Sequence, residues 1–404
     1  MGRVVGLRFV TFAAAVAVAA FAVAGATGSA RRIPNWAAPQ IATVVSHGLM
    51  GAKSVQTFRP NASLTRQALS DLAFGLQQQL TPPAPPPPTT TGDTTTGDTT
   101  TTSWWDPGPT TTTATDPTST VDTTTAPTTT GTPPQVPNGS NAATMTELDS
   151  KLVASLGLGH AAAEFNHAAR AAGVGIPSRF GTEVVARLLG LRLNHPASQD
   201  FLELRPQDPA SRAEAAYSAA QILGFGYLDD SWQIGWAQEA ADTFALPQLN
   251  PWQQRILTVA FSKIGMPYVW GGTSDGSEAP FGVPSRGGYD CSGFVWRVYK
   301  LQSYPNEGRL ASTIQGRTTY TMSVEVPWSK RIPFKKLEPA DVIFFGARGP
   351  RSSGPEIDHT AIYVGNGWFI QSSDEGVALA QLTGWYKREF AWGRRPLAEA
   401  GLEP

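Results

Sequence analysis

The chain has 404 residues, enough for two or three modest domains with linkers, and its 41% hydrophobic residues supply a packed core. Lys+Arg 31 against Asp+Glu 32 leaves a formal net charge of −1, so there is no electrostatic case for nucleic acid as a partner. The 33 prolines crowd into one stretch, and the one cysteine, Cys291, has no intrachain partner for a disulfide.

Arg3 and Arg8 flank the start of an uncharged, Ala- and Val-rich run from Phe9 to Ala26. Small residues follow at Ala24-Gly25-Ala26 and Gly28-Ser29-Ala30, so residues 1–30 read as a cleaved export signal. The run is near spanning length, and an uncleaved membrane anchor is the alternative. Either reading puts the rest of the chain outside the cytoplasm.

Residues 31–80 read as a small helical unit. Ile41, Val44 and Val45 share one helix face, Leu49 follows, and Gly48 and Gly51 end the helix. Thr65 is placed to cap a second helix carrying Leu69, Leu72 and Leu76. Residues 81–143 form a Pro/Thr-rich linker. Pro82 to Pro88 is nearly all proline and therefore stiff; the Thr-rich stretch beyond has almost nothing to bury and is expected to be disordered. Residues 144–249 return to Ala/Leu-rich helical periodicity.

One echo links the two helical stretches. Arg59-Pro60-Asn61-Ala62-Ser63-Leu64-Thr65-Arg66 and Arg205-Pro206-Gln207-Asp208-Pro209-Ala210-Ser211-Arg212 share Arg-Pro, four residues, a hydroxyl, then Arg. With Phe58 before the first copy and Ala213-Glu214 after the second, the pattern resembles the S-layer homology repeat. A weaker middle copy is expected near Thr182 to Leu191, without Arg-Pro. The resemblance implies binding to an anionic secondary cell-wall polymer, with Arg66 and Arg212 as contacts. The alternative is that these arginines only pack or pair at their helix starts. On this reading the linker gives the anchored enzyme its reach.

Residues 250–398 carry the chemistry, followed by a tail at 399–404. Trp252 to Ile264 reads as a helix, and Gly265 to Gly272 as a loop. In Asp290-Cys291-Ser292-Gly293-Phe294, Asp290 is placed to cap a helix that Cys291 opens, with Phe294, Val295, Val298 and Leu301 on its buried face. The attacking species is a thiolate, and the positive end of a helix favours it, so a lowered thiol pKa and fast alkylation are expected. Asp290 opposes the thiolate, which asks for a nearby imidazolium. Asp341 to Phe345, His359 to Val364 and Trp368 to Ser372 read as strands, the last two joined by Gly365-Asn366-Gly367. Strand periodicity lets His359 and Gln371 lie side by side, completing a nucleophile, base and orienter set.

Pro267-Tyr268-Val269-Trp270-Gly271-Gly272, Asp290-Cys291-Ser292-Gly293-Phe294, Asp341 to Phe345 and His359 to Gly367, in that order, resemble the NlpC-type cell-wall cysteine peptidases. The resemblance covers roughly 252–396 and implies an α+β, papain-like domain with helices packed on an antiparallel sheet. It implies Cys291 as nucleophile, His359 as general base and acid, and Gln371 in the imidazole-orienting place. Tyr268 matches a tyrosine near the nucleophile, and Asp290 and Ser292 match residues lining the substrate cleft.

There are three departures. The third polar position is most often His, and here it is Gln371. The insertion between Gly272 and Asp290, with Pro280, Phe281 and Pro284, is long and is expected to form a cleft wall. Ala340 stands where the family usually has Gly, which reads as a small change. His47, His160, His167 and His195 have no neighbouring Cys or paired carboxylates, so no metal site is expected, and the chemistry requires no cofactor.

The implied protein is a secreted, wall-associated, monomeric peptidase. Its partner is peptidoglycan, cut between γ-D-glutamyl and the diamino acid of the stem peptide. The alternatives are an N-acetylmuramoyl-L-alanine amidase or acyl transferase on the same scaffold, or an inactive wall-binding protein.

Overall fold

A computed structural model describes residues 36–82 and 142–402; the expected export signal and nearly all of the Pro/Thr-rich linker lie outside the described residues. Among the described residues no helix is long and apolar enough to cross a membrane.

The helical region begins with α1 (Ala38–Ser46), which buries Ile41 and Val44 and ends at Gly48 in the left-handed conformation. Helix α2 (Arg66–Leu80) buries Leu69, Leu72 and Leu76. Beyond the linker come α3 (Met145–Ser155), α4 (Gly159–Ala171), α5 (Phe180–Leu188), α6 (Arg212–Leu223) and α7 (Trp232–Thr243).

The starts of α2, α3 and α6 meet in a closed ring. Leu64 N–H donates to the Ala210 carbonyl (2.8 Å), Ala210 N–H to Ala143 (2.8 Å), and Ala143 N–H to Leu64 (2.7 Å). One residue later, Thr65, Thr144 and Ser211 each cap their helix by accepting from the N–H three positions on. Such caps satisfy one orphan donor each and contribute about 1 kcal/mol.

This corrects two expectations. The helix start that joins the other two in the ring is at Thr144, not near Thr182, which lies inside the first turn of α5 and donates back to the Arg179 carbonyl. It was hidden because Met145 holds the place that Arg66 and Arg212 hold in the other copies. Moreover, the linker leaves this body after α2 and returns to it at Ala142, which bridges to Thr65. The described residues on either side of it, up to α2 and from Ala142, thus belong to one folded unit, and Ala142 and Ala143 join the ring.

The catalytic region opens with α8 (Pro251–Ser262), capped by Asn250 and Gln253 in a reciprocal box. A short ribbon, β1 (Thr273–Ser274) with β2 (Gly288–Tyr289), carries the insertion at its end. Then come α9 (Cys291–Trp296), running into a wider turn through Leu301, α10 (Leu310–Thr313) and α11 (Thr319–Val324). The remainder is β3 (Val342–Gly346), β4 (Ile357–Gly365), β5 (Trp368–Ser373), β6 (Gly376–Gln381), α12 (Gly384–Glu389), β7 (Phe390–Arg394) and α13 (Pro396–Ala400). The sheet order is β6-β5-β4-β3-β7, antiparallel throughout. The region is α+β, with α9 packed across β4 and β5. Phe294, Val295 and Val298 are fully buried, but Leu301 is 46% exposed, because the wider turn rotates it off the buried face. The region also extends past 398, since Arg394 pairs with Glu399 on α13 at 2.7 Å.

The two regions pack as one body. From α5, Arg187 donates to the carbonyls of Gly265 (2.6 Å) and Glu375, and pairs with Glu183 at 3.4 Å. Asp200 accepts from the Trp270 N–H at 3.1 Å. Trp368 on β5 makes edge contacts with Phe165 on α4 and with Phe244 just past α7. Nearby, Arg192 and Asp149 form a fully enclosed pair at 2.8 Å.

Candidate active site

Asp290 caps α9 by accepting from the Gly293 N–H, which fixes Cys291 as the first helical residue. Position 293 has to be glycine: a Cβ there would lie 1.9 Å from the Gly272 carbonyl oxygen. Cys291 is 9% exposed, and the N–H groups of Ser292 and Thr360 turn towards its sulfur.

His359 stands on β4 and Gln371 on β5. The pairing of Ile362 with Ile370 makes them diagonal neighbours on one face of the sheet. His359 Nε2 lies 2.6 Å from Gln371 Oε1, and the Gln371 amide N–H donates to the Tyr386 hydroxyl at 2.7 Å. The Phe345 ring packs on the imidazole at 5.6 Å. Nδ1 is the ring nitrogen outside this bond, and the next residue on β4, Thr360, turns its N–H towards the Cys291 sulfur.

The electrostatics overturn one expectation. Burial, with the Asp290 carboxylate, pushes the Cys291 thiol up to about 12, outweighing the neighbouring N–H groups and Arg317. Burial also holds His359 below the ordinary imidazole value, against the Gln371 hydrogen bond. Both shifts favour the uncharged forms, thiol and imidazole, opposite in direction to the expected lowering of the thiol pKa. A six-residue helix start does not offset the loss of water around sulfur. Nor is Asp290 balanced by an imidazolium. Arg317, a residue not singled out in the sequence, pairs with Asp290 at 3.1 Å, donates to Ser292 Oγ at 2.7 Å, and reaches the Gly271 carbonyl at 2.9 Å.

These groups border an open cleft of about 230 Å³, lined also by Tyr268, Trp270, Phe281 and Asp358. Tyr268 and the insertion thus reach the same cleft as Cys291. Phe281 is 82% exposed with φ at +51°, and its ring lies over Gly271, itself at φ +78°. Burial, with Cys291 and Asp290 next, pushes the Tyr268 phenol well above its ordinary value, so it stays protonated.

The two repeat arginines lie far along the chain from this cleft, in contacts between repeats. Arg66 pairs with Glu147 on α3 at 2.8 Å. Arg212 donates to the carbonyls of Phe58 and Met50 and lies 4.6 Å over the Phe58 ring. Arg59, exposed at φ +57°, stands close enough to depress the Arg212 pKa, although burial is the larger cause. His195 pairs with Glu203 at 2.9 Å. Among the described residues no group of three or more His, Cys, Asp and Glu is placed to hold a metal ion.

A cysteine opening a helix over an antiparallel sheet that carries a His–Gln pair defines the class as a papain-like α+β thiol site. The family models agree: residues 265–395 match the NlpC/P60 family and residues 30–69 the S-layer homology domain, so the chain carries an NlpC/P60 domain behind an S-layer homology repeat. Over 132 residues it is 31% identical to the probable peptidoglycan endopeptidase LytE of Bacillus subtilis, covering 33% of this chain and 30% of the relative. Over 157 residues it is 32% identical to the murein DD-endopeptidase MepH of Escherichia coli, covering 37% and 49%. Over 211 residues it is 25% identical to a gamma-D-glutamyl-L-lysine dipeptidyl-peptidase of Bacillus cereus, covering 49% and 55%. The chain therefore spans about a third to just over half of the length of these relatives.

Proposed function

We propose that the protein is a secreted, wall-associated cysteine endopeptidase that hydrolyses peptidoglycan stem peptides between γ-D-glutamyl and the diamino acid. The observation that carries this reading is the 2.6 Å contact of His359 Nε2 with Gln371 Oε1 on a strand whose next residue, Thr360, turns its N–H towards the sulfur of a cysteine at a helix start. The bond assignment draws on the relatives, one of which is named for γ-D-glutamyl-L-lysine cleavage.

In the proposed mechanism His359 Nδ1 takes the thiol proton as Cys291 Sγ attacks the peptide carbonyl. The N–H groups at the start of α9 and the protonated Tyr268 phenol stabilise the oxyanion. The imidazolium then protonates the leaving amine as the C–N bond breaks. Water, deprotonated by His359, opens the thioester and returns the proton to sulfur. Asp290 and Ser292, held by Arg317, line the acyl side of the cleft. No metal or cofactor enters. The repeats hold the enzyme at the wall, with the exposed Arg59 offering positive charge to an anionic polymer beside Arg66 and Arg212, which are themselves engaged by Glu147 and by the Phe58 and Met50 carbonyls.

The test is mass spectrometry of muropeptides after digestion by the wild type and by Cys291→Ala. The expected result is new termini at the γ-D-glutamyl bond, with the rate lost by at least about 10³-fold in the variant. Because neutral imidazole is the base and its pKa is lowered, the rate should persist below pH 6.5 and fall only at lower pH. Equal, negligible cleavage by both proteins would refute the reading.

A further inference from the structure

The Gln371 amide has one accepting end and one donating end, and they meet different partners. Its oxygen faces His359 Nε2, and its N–H donates to Tyr386. The residue is 2% exposed and takes both partners from the protein, although with Tyr386 it borders an open pocket of about 350 Å³.

This orientation decides which imidazole nitrogen carries the proton. With the amide oxygen towards it, His359 is protonated on Nε2 and keeps a lone pair on Nδ1. With the amide turned over, an N–H would face Nε2 and the ring proton would sit on Nδ1. The ring would then have no lone pair with which to take the thiol proton.

We propose that Tyr386 is a positioning residue that selects the productive His359 tautomer, by accepting from the Gln371 amide and so holding its oxygen against the imidazole. This rests on the Cys-His-Gln reading above. Tyr386 comes from α12, and core packing sets its ring: Phe369 lies at 4.9 Å and Phe345 at 5.6 Å. Its outer surroundings include an open pocket of about 350 Å³, shared with Trp236 of the helical region and Trp385. The phenol is protonated, its pKa raised by burial.

Deleting the hydroxyl would leave the donating end of the amide without its protein partner. A buried orphan N–H is rarer in proteins than an under-satisfied carbonyl, so the amide would turn to give its N–H to His359. A carboxylate at position 371 has no such asymmetry, because both oxygens accept.

Tyr386→Phe should therefore lower kcat on a stem peptide by about 10- to 100-fold with KM within about twofold. ¹⁵N-resolved NMR of its His359 ring should find the proton moved from Nε2 to Nδ1. In a Gln371→Glu background, the same Tyr386→Phe change should cost less than about threefold. A Tyr386→Phe variant still protonated on Nε2 would overturn the proposal, and so would an equal kcat loss in both backgrounds. The NMR measurement needs no substrate. A wild type that leaves stem peptides intact would therefore sink the peptidase reading while the tautomer result still judged Tyr386.

Discussion

The helical region and the catalytic cleft both bury polar groups, and they satisfy them in opposite ways. Around α5 the interior is ionic: Asp149 with Arg192, Glu183 with Arg187, His195 with Glu203. At the candidate site His359, Gln371 and Tyr386 are joined by hydrogen bonds rather than ion pairs, with Asp358 and Glu375 acting on the imidazole from a distance, while Asp290 beside Cys291 is paired with Arg317. These pairs brace the helical side, from which Arg187 reaches the Gly265 and Glu375 carbonyls of the other region, whereas a fixed charge beside a proton-transfer pair would bias its proton to one end. The ionic interior suits the junction and the neutral one suits the chemistry.

The hardest break in this contrast is Arg187→Met. It leaves the enclosed Glu183 without its partner and two backbone carbonyls without their donor, and is expected to cost about 3–5 kcal/mol by urea denaturation. The double change Glu183→Met with Arg187→Met should recover part of that loss, because an apolar pair leaves no buried charge. Equal stability of the single variant and the wild type would mean that the junction is not held by charge.

Arg317→Ala probes the neutral side. Removing the guanidinium exposes sulfur to the uncompensated Asp290 carboxylate, so kcat/KM should fall by about 10- to 100-fold. Iodoacetamide labelling followed across pH 6 to 10 gives the second readout. With the thiol pushed up to about 12, wild-type Cys291 should react more slowly than a free cysteine at pH 7.5, and Arg317→Ala more slowly still. Wild-type labelling faster than that of a free thiol would restore the ion-pair picture.

The smallest effect is a gain. Ala340 sits at φ +71°, a conformation that costs a residue with a Cβ roughly 1 kcal/mol, so the replacement of the family glycine is not a minor change. Ala340→Gly should raise stability by about 1 kcal/mol, seen as a higher Tm, and leave kcat unaltered.

The sequence was most legible where a pattern is local. The hairpin of β4 and β5 followed from alternation around Gly365-Asn366-Gly367, and its register brought His359 to Gln371. The cap of Asp290 and the opening position of Cys291 followed in the same way. Arg317 and Tyr386 were not legible, because each is an ordinary residue until the fold brings it to a partner 27 or 15 positions away. Strands β6 and β7 were missed because their pairing is decided by neighbours, β7 joining β3 from the far end of the domain. The thiol's charge state was misjudged because burial competes with a helix start, and burial is a property of the whole fold.

The ring of helix starts has a further consequence. Leu64 comes before the long Pro/Thr-rich excursion, Ala143 and Ala210 come after it, and hydrogen bonds among all three close the circle. A protease that severed the excursion would cut the covalent chain without cutting this circle. The fragments would stay clasped by α1 and α2 against α3 and α6, much as a nicked circular band keeps its shape when a second fastening holds it. The hydrogen bonds that close this circle therefore do not depend on the covalent continuity of the chain between α2 and α3.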